Sequence, residues 1–308
     1  MKKVQSIVVF LFFISVAIAQ ESTDRKQINL DEDWKFSFGN AAYATKDFNY
    51  SIATIFSKSG AAPATCIDPK FNDSNWRSLN LPHDWAVELP FVNLNNFDVQ
   101  SHGYKPVGGF FPETSIGWYR KKFLVNKSDS NNKVQLQFDG VFRNASFWLN
   151  GFYVGTNQSG YVGINYDVTN YVNFNKENCL VVRVDATQYE GWFYEGAGIY
   201  RHVWLNTFQP LHITDDVFIR STTKTNQSTI TIDVPIQNET YNNNNCDVET
   251  YITTREGKKL KTVTNKNILI QTGNTKIVQQ QLIIPDANLW SVENPYLYRT
   301  VTLIKQQG

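Results

Sequence analysis

Short alternating runs of apolar and polar residues, with almost no helical periodicity, organise this chain. Lys133–Phe138 places Val134, Leu136 and Phe138 on one face, and Leu180–Val184 alternates in the same way. Asn144–Phe152 sets Ala145, Phe147 and Leu149 opposite Ser146 and Trp148. A period of two with one apolar face predicts half-buried strands. Asn150-Gly151, followed by the apolar Phe152-Tyr153-Val154, is the pair a type I′ hairpin turn demands, because both central residues take positive φ.

Near Gln209-Pro210 the pattern changes. Before it the chain is aromatic-rich with several glycine loops; after it come plainer strand patterns at Asp216–Arg220, Thr229–Ile236, Val248–Thr254 and Lys276–Ile284. Polar turns at Tyr241–Asn245 and Glu256-Gly257-Lys258 separate them at the spacing of a small β-sandwich. Two all-β domains are predicted, 24–208 and 209–308, the second of immunoglobulin-like length but without that fold's paired cysteines.

Residues 1–19 read as a signal peptide: Met1-Lys2-Lys3 is basic, Ile7–Ile14 is almost unbroken apolar, and Ala17-Ile18-Ala19 is a small-residue cleavage site before Gln20. Export to the periplasm or the exterior is expected. No later segment reaches the roughly 20 apolar residues of a membrane span. Cys66, Cys179 and Cys246 leave at least one thiol unpaired and match no metal-ligand spacing, so neither a disulfide framework nor a metal site nor a cofactor is expected. A formal charge of +1, with Lys and Arg spread along the chain, lacks the footprint of a nucleic-acid binder. Aromatic residues at 14% favour β-rich folding and an aromatic-lined surface.

The densest chemistry lies in Gly191–Trp204, Gly-Trp-Phe-Tyr-Glu-Gly-Ala-Gly-Ile-Tyr-Arg-His-Val-Trp. Aromatic faces stack on the C–H faces of sugar rings while carboxylates and guanidinium forks bond hydroxyls, and Gly196 and Gly198 allow sharp turns between them. A sugar-facing loop feeding a strand fits this crowding. Ile199, Val203 and Trp204 taken alone read rather as a core strand with a glycine-rich entry.

Six strings in order now carry a family resemblance: Leu30-Asp31-Glu32-Asp33-Trp34-Lys35-Phe36, Leu81-Pro82-His83-Asp84-Trp85, Gly117-Trp118-Tyr119-Arg120-Lys121, Phe138-Asp139-Gly140-Val141, Leu149-Asn150-Gly151 and Gly196-Ala197-Gly198-Ile199-Tyr200-Arg201. Together they resemble the N-terminal part of glycoside hydrolase family 2, and Leu289-Trp290-Ser291 with Glu293–Tyr298 is similar to the end of that family's immunoglobulin-like domain. The strings Pro82–Pro90 and Ser101–Pro106 look most like exported β-galactosidase-type members.

The resemblance implies an all-β chain, a jelly-roll sugar-binding sandwich followed by an immunoglobulin-like sandwich, ahead of a TIM barrel that holds two catalytic glutamates. A barrel takes roughly 250 residues of alternating strands and helices, and the pattern here stays in short strands, so the barrel is expected to be absent from this chain. No catalytic residue is assigned, and Asn238-Glu239 is a coincidence of composition. Glycosidases need paired carboxylates roughly 5 to 9 Å apart, but the resemblance places Glu113, Glu190 and Glu195 in loops outside the barrel.

Substrate contact is the role left for these loops. Glu190 or Glu195 would supply the carboxylate that precedes the Gly-Ile-aromatic-Arg segment in lactose-cleaving members, while a gap-free match puts Trp192 there. His83 and Asp84 read either as a sugar-facing loop end or as a turn in which Asp84 bonds nearby amides. Arg201 suits a bidentate ion pair at a domain junction. Two functions follow: the non-catalytic front of an exported retaining β-glycosidase of β-galactoside type, or a stand-alone carbohydrate-binding surface protein. The implied partner is a β-linked oligosaccharide or glycoside, with a homo-oligomer allowed for the full-length enzyme.

Overall fold

The computed structural model describes residues 25–51, 64–92, 105–188 and 195–306. The predicted signal segment, Glu190 and Trp192 lie outside them. The first half of the chain forms β1 (Lys26–Asn29), β2 (Trp34–Phe38), β3 (Arg77–Leu79), β4 (Ile116–Leu124) and β5 (Lys133–Phe138). It continues with β6 (Ala145–Leu149), β7 (Phe152–Asn157), β8 (Ile164–Asp167), β9 (Glu177–Asp185) and β10 (Val203–Phe208). They make two antiparallel sheets, β1-β10-β5-β8 and β3-β2-β4-β9-β6-β7, the jelly-roll sandwich that the sequence implied.

Between the sheets, Val134, Leu136 and Phe138 of β5 meet Phe147, Leu180, Val182 and Leu205 in one buried cluster. The β6–β7 hairpin forms as predicted, with Asn150 at φ 54 and Gly151 at φ 86. The Asn150 side chain locks it, donating to Tyr171 O at 2.7 Å and accepting from Cys179 N at 2.9 Å.

The half-buried expectation holds for β5 but not for β6, where every residue is buried. The cause is a second core on the outer face of the six-stranded sheet. Trp118, Trp148, Cys179 and Val181 pack there under Cys66, Ile67 and Trp76, contributed by the long segment between β2 and β3. A loop 30 or more residues away supplies that cover, so no local alternation could announce it.

The second half forms β11 (Leu211–Ile213), β12 (Phe218–Lys224), β13 (Gln227–Asn238), β14 (Asn244–Thr253), β15 (Lys259–Ile270), β16 (Thr275–Pro285) and β17 (Arg299–Gln306). One sheet places β13 between β16 and the pair β11 and β12; the other runs β15-β14-β17. Ile232, Val234, Ile236, Val248, Ile252 and Leu282 fill the space between them. The pattern of apolar residues did not predict β15: it is a sheet edge whose Lys- and Thr-rich sequence, KLKTVTNKNILI, buries only Ile270 fully. Lysine at such an edge deters pairing with another chain.

Polar contacts fasten one sandwich to the other. Lys133 bridges to Glu239 at 3.0 Å, Arg25 to Asp215 at 3.0 Å, and the Phe208 and His212 rings lie 4.5 Å apart. The Asn238-Glu239 pair is thereby structural: Asn238 is fully buried and donates to Asn242 O and Ile270 O at 2.8 and 3.0 Å. All three cysteines are buried free thiols.

Candidate functional site at the loop end of the first sandwich

Main-chain bonds gather two of the singled-out strings, and Phe142 just after a third, at one end of the first sandwich. His83 N donates to Ile199 O at 2.8 Å, Trp85 N to Ala197 O at 2.9 Å, and Phe142 and Gly198 exchange N–H bonds of 2.9 and 2.8 Å. Asp84 caps the short helix α1 (Trp85–Glu88): its Oδ1 accepts from Ala86 N at 2.9 Å and from Ala197 N at 2.8 Å. One carboxylate oxygen therefore ties the start of α1 to the segment after Glu195. This is the amide-bonding turn that stood beside the sugar-facing reading of Asp84.

His83 is 7% exposed, set edge-on against Phe36 with ring centroids 4.8 Å apart. Its Nε2 lies 2.6 Å from Arg77 Nη2 and its Nδ1 2.7 Å from Tyr119 Oη. A guanidinium only donates, so Arg77 favours Nε2 as an acceptor, while Glu88 Oε1, 3.2 Å from the same nitrogen, favours a proton there. Glu88 holds Arg77 in place through bonds of 2.8 and 3.1 Å. The Arg77 bond draws the Glu88 carboxyl below its ordinary value. The string Arg77–His83–Tyr119 thus continues the backbone anchoring of Ile199. Nothing in the local sequence near His83 signalled Arg77; Glu88 and Tyr119 were visible only inside the Pro82–Pro90 and Gly117–Lys121 strings.

Burial pushes the His83 pKa below 6.5, with Arg77 reinforcing and Glu88 opposing. The unfolded chain then binds the proton more readily, so the stability given by neutral His83 is complete above about pH 6.5 and is lost as pH falls through it. His212, also pushed down chiefly by burial, acts in the same direction. The urea midpoint is expected to fall between about pH 7.5 and about pH 5.5, less steeply in His83→Gln. A midpoint that rises on acidification would reverse the assignment.

Glu195 is half-buried and opens the described part of the aromatic loop. Glycines do turn it, with φ 33 at Gly196 and φ 129 at Gly198. Tyr200 lies on Gly140 and donates to Gly160 O at 2.7 Å. His202 Nδ1 meets Asp31 Oδ2 at 2.6 Å. Arg201 is exposed in the bend before β10, not on the strand, and makes no ion pair among the described residues. Glu113 is exposed and pairs with Lys46 at 3.6 Å.

The described carboxylates at this end are engaged by amides, cations or rings: Asp31 by Val203 N and His202, Asp84 by two amides, Glu88 by Arg77, Asp139 by the Trp204 indole at 2.9 Å. Among the described residues no group of three or more His, Cys, Asp or Glu could hold a metal ion. The arrangement fixes and presents the segment Ala197–Ile199.

In this two-sheet sandwich the segment Ala197–Ile199 is held between Asp84 and Phe142. The family description "Glycosyl hydrolases family 2, sugar binding domain" matches residues 28–209, and "Glycosyl hydrolases family 2" matches 211–308. The chain belongs to glycosyl hydrolase family 2.

It is 31% identical over 283 residues to the β-galactosidase BoGH2A of Bacteroides ovatus, covering 91% of this chain and 30% of that protein. A β-glucuronidase of Formosa agariphila is 29% identical over 310 residues, covering 93% of this chain and 28% of that protein. A family 2 member from Bacteroides cellulosilyticus superposes with a TM-score of 0.72 at 26% identity, over 91% of this chain and 34% of that one. The chain spans about 30% of the length of the curated relatives it matches.

Proposed function

We propose that this chain is the non-catalytic, sugar-facing front of an exported retaining β-glycosidase that acts on β-galactoside-type substrates. The observation that carries the reading is the pinned loop: four inter-segment main-chain bonds and the Asp84 carboxylate hold Ala197–Ile199 rigidly at one end of a family 2 sugar-binding sandwich. Rigid placement lets a loop close a pocket whose chemistry is supplied elsewhere. Glu195, with Glu190 and Trp192 beyond the described residues, is the proposed contact with substrate hydroxyls. Asp84 and His83 serve it from beneath. Similarity to the Bacteroides ovatus β-galactosidase supports the galactoside, and the basic, apolar, small-residue order of Met1–Gln20 supports export.

The purified chain is expected to leave aryl β-galactosides and aryl β-glucuronides unhydrolysed, because on this reading the acid/base and nucleophile are supplied elsewhere. Release of the aryl group above a buffer blank, surviving repurification, would overturn the non-catalytic reading. Loss of galactoside selectivity in favour of glucuronide, measured on the full-length enzyme, would overturn the substrate while leaving the role of the chain intact.

A further inference from the structure

Strand β13 changes partners along one edge: β12 pairs with it up to Asp233, and β11 takes over from Ile236. Val234 and Pro235 lie in the gap. Proline has no N–H for a ladder, so it is tolerated where a neighbouring strand is interrupted, and Pro235 O accepts only from Thr214 N at 3.0 Å on that side. The chain between β11 and β12 detours around the gap and leaves a notch of about 420 Å³ on the outer face of the second sandwich.

The lining of the notch is of two kinds. Phe218, 56% exposed, forms a wall, and Pro235 with Ile277, 66% exposed, forms an apolar floor. Asp216 and Asp233 stand at its rim. Asp233 is held from both sides, by Arg220 at 2.9 Å and Gln279 at 2.7 Å, and the Arg220 guanidinium also lies 5.6 Å from the Phe218 ring centre. One cation therefore fixes the ring and the carboxylate together, which lowers the ordering cost of any ligand that uses both. Asp216 makes no ion pair among the described residues. Thr214 also lines the notch, but its Oγ1 is buried and does not face it.

We propose that this notch binds a neutral pyranoside, at a site separate from the loop end of the first sandwich. The ring's C–H face would lie on Phe218 and Ile277, with hydroxyls donating to Asp216 and Asp233. Two carboxylates against one committed guanidinium disfavour an anionic sugar, so a uronide is excluded from the preferred class. An open, partly apolar notch with few polar anchors supports about millimolar affinity.

The test is an amide-resolved NMR titration of the chain, expressed without its predicted signal, with methyl β-galactopyranoside, methyl β-glucopyranoside and methyl β-glucuronide. At least one neutral glycoside is expected to shift amides of Thr214–Phe218 and around Pro235, with the glucuronide at least about fivefold weaker. Phe218→Ala and Asp216→Ala should each weaken binding about fivefold or more while the unfolding midpoint stays unchanged. No shift at the notch with either neutral glycoside at about 50 mM would overturn the proposal. So would binding that both variants retain. Shifts confined to Asp84, Ala197 and their neighbours would overturn it too, while supporting the function proposed for the first sandwich.

Discussion

Gly198→Ala is expected to lower the stability of the first sandwich by about 3 kcal/mol or more. Gly198 has φ 129, a conformation that only glycine adopts without strain, and a Cβ there would lie 2.4 Å from His83 O and 2.6 Å from Tyr119 Oη. Backbone strain alone costs about 1–3 kcal/mol. The clash adds to it, because a carbonyl in the main chain cannot swing aside as a long side chain would. Any shift that relieves it breaks the His83–Ile199 bond or the Phe142–Gly198 pair, the bonds that fix the loop. Urea unfolding followed by tryptophan fluorescence reports this sandwich, since every tryptophan but Trp290 precedes Phe208. Gly257→Ala is the comparison: φ is 89 there but nothing lies within 4 Å, so only strain is added. Calorimetry showing equal losses in both variants would mean that the close approach at Gly198 is wrong.

Much of this architecture was legible in the order of residues. Asn150-Gly151 dictated its own turn through the positive φ that both positions require, and the alternation in Lys133–Phe138 named its buried face residue by residue. What escaped the sequence depended on distant partners. The outer face of β6 and β9 carries Trp148 and Val181, which look like solvent-side residues until the segment around Cys66 and Trp76 folds over them. β15 escaped for the opposite reason: paired on one side only, it has few residues to bury and so no alternation to read. At the candidate site the strings around His83 and Gly198 were visible, but their roles were not. His83 read either as a sugar-facing loop end or as part of a turn, because its neighbours in space, Phe36, Arg77 and Tyr119, come from three separate strands.

The second large effect is expected at Arg120, which fastens that outer cover. Its side chain is completely buried, and its guanidinium donates to Asp73 at 2.8 Å, to the carbonyls of Asp68 and Pro69 at 3.2 and 3.4 Å, and to the Cys66 carbonyl. The acceptors lie on one loop and the donor on β4, so a single planar fork holds the loop against the Trp118–Trp148 stack, whose rings lie 5.8 Å apart. Arg120→Met keeps the bulk and removes the donors. Asp73 and three carbonyls then lose their partner beneath a packed cover, and breaking a buried pair in this way costs about 3–5 kcal/mol. Arg120→Lys restores the charge but not the fork, since one ammonium cannot reach acceptors spread across several directions; it should recover less than half of the loss. The measurement is the urea midpoint together with near-ultraviolet circular dichroism, which reports the packing of the two indoles. If Arg120→Met stays within about 0.5 kcal/mol of the parent, the acceptors are reached by water and the cover is looser than the packing around Trp76 and Ile67 implies.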